Sequence, residues 1–170
     1  VWPESAEGSL NNTGGVGFLQ YVAVVSPPPG IVDLAAVPGS AAFSPAAVEP
    51  GDPLSASVDI SNLGTDASGG FDVAFYASTN GVISTSDTLL GLVSMSSIGG
   101  GAAAACSLIG GNTAALSPNN YYVGWIIDPA GVVPDVNTPN NTGYIAPERL
   151  IVTVSGGTGS AYSVTTIPLD

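Results

Sequence analysis

The sequence predicts an all-β fold, an antiparallel β-sandwich, on three observations. Short runs rich in Val, Ile, Tyr, Phe and Thr recur at intervals of about 8–12 residues. Gly and Pro, 23 and 14 of the 170 residues, punctuate the chain between those runs. No window sets apolar residues at i, i+3 and i+4 against a charged face, so helix signals are nearly absent.

The expected strands follow in order. Val16–Val25 is apolar on both faces, as a strand buried between two layers would be. PPPG at Pro27–Gly30 is a stiff extended connector, because Pro fixes φ and restricts the residue before it, and Ile31–Val37 opens the next strand. In Leu54–Ser61 the residues Leu54, Ala56, Val58 and Ile60 share one face of the pleat. Phe71, Val73 and Phe75 do the same in Phe71–Ala77, with Ser and Asp on the opposite faces. Thr88–Met95, Ala102–Ile109, Tyr121–Asp128, Arg149–Val154 and Ala161–Ile167 complete the set. Between them SNLGTDASGG, STNGVISTSD and SIGGG supply the Asn-Gly and Gly-Gly pairs that tight turns with positive φ require.

Charge narrows the function. Thirteen residues are acidic and one, Arg149, is basic, with no Lys or His; charged residues make up 8% of the chain against about 25% in an average domain. The surface is therefore mostly Gly, Ala, Ser, Thr and Asn, which suits close contact with neighbours or a coat of glycan. A net charge of −12 argues against nucleic acid, which needs Lys or Arg at its phosphates, and repels anionic membranes. No run reaches the roughly 18 apolar residues of a membrane span, so membrane insertion is not expected. No signal peptide is evident, so either one has been removed or the sequence is an internal piece of a longer chain. Without His or Lys, neither a serine-type triad nor a Schiff base can be assembled, and the carboxylates scatter through turns. No enzyme is expected. Cys106, the single cysteine, sits in the apolar run AAAACSLI and reads as a buried structural thiol.

The middle of the chain carries a set of recognisable pieces. They are the Asp-Leu strand of IVDLAAV, the Pro-Gly-Asp turn and Asn-x-Gly-Thr turn of VEPGDPLSASVDISNLGT, the strand end FYAST, the strand DTLLG, the strand YYVGWIIDP and a terminal Asn-Asn-Thr. Over about Ile31–Val154 the sequence resembles the bacterial cell-adhesion-related domain CARDB. That resemblance implies an immunoglobulin-like sandwich, to which the duplication described next adds N- and C-terminal strand extensions. It further implies a place in secreted or surface proteins of bacteria and archaea, often as tandem copies, and it does not imply catalysis.

A duplication bears on the ends. NNTGGVGFLQYVAVVS from Asn11 aligns without a gap to NNTGYIAPERLIVTVS from Asn140, and Gly30 precedes Gly159 by the same 129-residue offset. Residues 29–157 are thus expected to form one complete sandwich. Residues 1–28 would be the last loop and strand of a preceding repeat, and residues 158–170 the first strand of a following one. Alternatively Val16, Phe18, Val22 and Val24 belong to a donor strand that inserts into a neighbouring subunit. Burying its apolar side chains at about 1.5–3 kcal/mol each would contribute on the order of 10 kcal/mol. Either way the partners are identical subunits or neighbouring repeats.

Candidate sites are few. Asp87, Asp128, Asp135 and Asn137 are candidate calcium ligands if their loops meet at one end of the sandwich; the competing reading is that they cap turns. No other cofactor is expected. Asn11 and Asn140 begin Asn-Asn-Thr acceptor patterns for glycosylation. Trp125 reads as core, while Trp2 reads as a residue that docks at a repeat junction. The function expected from all this is a non-catalytic structural module of an extracellular fibre, filament, sheath or adhesin stalk. The rival is a calcium- or carbohydrate-binding accessory module of a secreted hydrolase.

Overall fold

The computed structural model of the chain describes residues 30–154. They form ten strands in two packed sheets, and the one helical turn among them is a 3-10 helix at Thr138–Asn141. The first sheet is built on β4 (Leu54–Asn62). Along one side of it runs β7 (Ala103–Gly111); β1 (Leu34–Ala36) and β2 (Ala42–Ser44) share the other, pairing with its end and its beginning respectively. The second sheet runs from β3 (Ala47–Val48) through β10 (Leu150–Val152), β8 (Asn119–Ile127) and β5 (Phe71–Ser78) to β6 (Thr88–Met95). Strand β9 (Thr142–Tyr144) lies beside β8 on the side away from β5. All pairings are antiparallel except β3 with β10. The first edge of the sandwich therefore changes sheets between β2 and β3. This is the immunoglobulin-like sandwich expected, with the extensions at its two ends falling outside the described residues.

The alternation that predicted β4 holds along its whole length. Leu54, Ala56, Val58 and Ile60 face inward and all but Ala56 are fully buried, so each of the three larger side chains contributes about 1.5–3 kcal/mol. They meet Val73, Phe75, Val123 and Ile127 of the facing sheet in one core. Strand β5 departs from its expectation. Besides Phe71, Val73 and Phe75, its opposite face is covered at Ala74 and Tyr76, because residues 79–87 fold across the sheet and pack Ile83 there.

Strand polarity gives the sandwich two poles. Leu34 pairs with Asn62, so Gly30 lies beyond the C-terminal end of β4. Val73 pairs with Ile127, and Val32 bridges to Asp135, which places the end of β8 and residues 128–141 at this same proximal pole. Val152 pairs with Asn119, so the chain leaves through Val154 beyond the start of β8, at the distal pole. Nine residues of β4 set the poles about 30 Å apart.

Candidate functional site

The densest polar construction lies at the proximal pole. Asn62 ends β4 on the inward face and is fully buried. Its Oδ1 accepts from the N–H of Gly64 at 3.0 Å and of Asp33 at 3.3 Å, and its Nδ2 donates to the carbonyls of Asp66 at 2.7 Å and Ile98 at 3.0 Å. One amide thereby ties β4, the segment leading into β1 and the turns 63–70 and 96–102. The Nδ2 of Asn140 donates to Asp33 Oδ1 at 2.8 Å.

Loop 128–137 is built on carboxylates. Asp128 adopts a positive φ of 48° and its two oxygens accept the N–H groups of Val132 and Val133 at 3.0 and 2.8 Å. Asp135 accepts from Leu34 N at 3.0 Å through Oδ2 and from Asn137 N at 2.8 Å through Oδ1, so it fastens the loop to the first strand. Asn137 precedes the 3-10 helix and makes no side-chain cap. Asp87 stands at the other pole, since it leads into Thr88, which pairs with Ala77 at the far end of β5. There its Oδ2 accepts from Ser84 N at 2.8 Å and Ser84 Oγ at 3.1 Å.

Of the four candidate calcium ligands, Asp128, Asp135 and Asn137 share the proximal loop, and Asp87 does not join them. The three carboxylates are engaged with turn N–H groups, and no group of three His, Cys, Asp or Glu converges among the described residues. This donor set does not fit a single ion shared by the four. Asn140 is half-buried with its Nδ2 engaged by Asp33. Asn11, Val16, Phe18, Val22, Val24 and Trp2 lie outside the described residues.

Two clefts open on the surface. One, about 300 Å³, lies at the proximal pole beside Asp72 and Asp128, where Asp72 accepts from Ser94 Oγ at 2.7 Å. The other, about 350 Å³, lies between the β1–β2 turn and β9 and is lined by Pro38, Trp125, Tyr144 and small apolar residues. Trp125 itself belongs to the core, as expected, and its buried Nε1–H has no acceptor. Cys106 is a buried free thiol whose burial pushes its pKa up to about 11, the reverse of what a reactive cysteine needs. On the outer face of the second sheet the guanidinium of Arg149 lies 3.3 Å from the ring centroid of Tyr122, which meets Tyr144 edge-on at 5.0 Å. Neither this stack nor the role of Asn62 was foreseen. Asn62 carried a signal, since it continues the even-numbered alternation of β4.

The CARDB family model matches residues 32–144, about two thirds of the chain. The chain belongs to the CARDB family. CARDB is an adhesion-related, non-catalytic domain. A CARDB domain from Pyrococcus furiosus, crystallised in complex with di-metal ions, matches at 17% identity and a TM-score of 0.51, covering 79% of this chain and 99% of that one. At that identity it shows a shared fold. A domain of a candidate cell surface protein from Methanosarcina acetivorans matches at 20% identity and a TM-score of 0.49, over 72% of this chain and 93% of that one. Part of a β-glucosidase from Erythrobacter marinus matches at 15% identity and a TM-score of 0.46, over 72% of this chain and 16% of the enzyme. No curated relative matches the chain in sequence. No helix among the described residues is long and apolar enough to cross a membrane.

Proposed function

We propose that this CARDB domain is a structural module of an extracellular fibre, filament, sheath or adhesin stalk, joined end to end with copies of itself. The joint is made either along one tandem chain or between subunits that exchange a strand. The supporting observation is that Gly30 and Val154 lie at opposite poles, about 30 Å apart along the strands. Modules linked through such ends extend lengthwise, and a run of three prolines before Gly30 limits bending at the joint. The surface chemistry agrees. The whole chain has no His or Lys to serve as general base or Schiff-base amine, and among the turn carboxylates Asp128 and Asp135 are engaged by backbone N–H groups. The metal-bound relative favours a second reading, a cation-binding accessory module.

The intact mass of the native polypeptide, with negative-stain microscopy of native material, tests the first reading. A mass several times the 16.7 kDa of this chain, together with fibres, is expected for a tandem array, and fibres built of 16.7 kDa subunits for strand exchange. Dispersed particles of 16.7 kDa, with saturable calcium binding in calorimetry, would overturn it in favour of the second.

A further inference from the structure

Three exposed apolar side chains crowd the point where the chain enters the sandwich. Ile31 is 45% exposed, Leu63 63% and Val136 60%. They sit on adjacent extended segments: Leu63 N bonds to Asp33 O at 2.6 Å, and Val136 N bonds to Val32 O at 3.0 Å. Val32 and Asp135 pair across the bridge and face inward together, so their neighbours Ile31 and Val136 face outward together. Leu63 falls opposite Asp33 in the continued register of β1 with β4, on that same outer face. Of the two carboxylates beside them, Asp33 is tied down by Asn140, and Asp66, whose N–H bonds to Ile31 O at 3.0 Å, lies exposed against Gly30.

We propose that this patch seats the Val22–Val25 stretch that precedes the Pro27–Gly30 connector, and so locks the module to the one before it. The proposal rests on the end-to-end reading and names its contact surface. The position of the chain selects the occupant. Only four residues, Ser26 to Pro29, separate the stretch from Gly30, so Val25 can lie no more than about 18 Å from Gly30. That stretch, Val-Ala-Val-Val, is apolar and uncharged like the three side chains of the patch. By the 129-residue duplication this stretch is the counterpart of Ile151–Val154, the strand by which this module ends at its own distal pole.

Amide hydrogen exchange on the whole 170-residue chain tests it. The amides of Val22–Val25 are expected to exchange at least about ten-fold more slowly than an unstructured chain. Leu63→Ser and Val136→Ser should each abolish that protection, whereas Leu92→Ser, at an exposed position on the distant edge strand β6, should leave it intact. Unstructured rates in the parent chain, or protection indifferent to both patch variants, would overturn the docking. Protection lost on about 100-fold dilution would assign the patch to a second molecule and equally overturn it. Fibres of heavy native polypeptide with an unprotected stretch would reject the docking and keep the serial array. A protected stretch in dispersed 16.7 kDa particles would reject the array and keep the docking.

Discussion

Replacing Asn62 measures how much of the proximal pole rests on one amide. In Asn62→Leu the number and branching of the side-chain heavy atoms are kept but four hydrogen bonds go. The Gly64 N–H then has no partner in a buried place, at a cost of about 1–3 kcal/mol. The Ile98 carbonyl keeps its bond from Ser68 N at 3.0 Å, and the Asp33 N–H and Asp66 carbonyl are near enough to the surface for water to reach them. Each of these three losses is therefore set at roughly 0.5–1.5 kcal/mol. The sum is roughly 2.5–7.5 kcal/mol, centred near 5, a large part of the 5–15 kcal/mol that holds a typical domain together. With a urea slope near 2 kcal/mol/M, the unfolding midpoint should fall by about 1–4 M at unchanged slope. The assay is urea unfolding followed by far-UV circular dichroism. Ser61→Ala serves as control, because its hydroxyl makes one half-buried bond to Ala35 O at 3.1 Å and its loss should cost about 1 kcal/mol or less. A loss below about 1 kcal/mol for Asn62→Leu would show that the turns hold without the amide, and the reasoning would fail.

Burial raises the Cys106 thiol pKa to about 11 from its ordinary 9.0, so the folded state holds its proton more tightly than the unfolded one. Its stabilising contribution is full below about pH 9 and is lost as pH rises through 11, an order of 2–3 kcal/mol by linkage. Cys106→Val should flatten that part of the stability–pH curve; Tyr76, raised by burial and then by Asp87, leaves a residual slope of the same sign. In Gly124→Ala the new methyl would collide with the Gly143 carbonyl and with Ile83. A loss of about 1–3 kcal/mol in thermal unfolding is expected. Most of it should persist in an Ile83→Ala background, because the carbonyl remains.

How much of this was legible depends on element length and on which partners set each element. Strands β4, β5, β6 and β8 are eight or nine residues long and carry their own alternation or apolar runs, and each lies within about two residues of its expected place. Strands β2, β3 and β9, of two or three residues, exist because β4, β10 and β8 offer them an edge, and nothing local announces them. The covered outer face of β5 depends on Ile83 arriving from the loop 79–87, which a period-two pattern cannot foresee. The calcium candidates were chosen by residue type within loops. Which loops share a pole follows from strand direction, and counting strands puts Asp87 at the distal pole and Asp128 at the proximal one. The outward-facing row of Ile31, Leu63 and Val136 was illegible, because Val136 joins it through a bridge made by loop 128–137.

The acidic excess and the end-to-end reading bear on one another. Between copies of net charge −12, repulsion between exposed charges acts over about a Debye length of 8–10 Å and would oppose unspecific contact at low salt. On the end-to-end reading, contact is favoured where exposed charge is sparse. At the proximal pole the apolar row meets that condition, with Asp33 held by Asn140 between its members. On the end-to-end reading, a chain with so little charge to spare for polar contacts would associate through this apolar row, at the pole where the chain enters from the module before it.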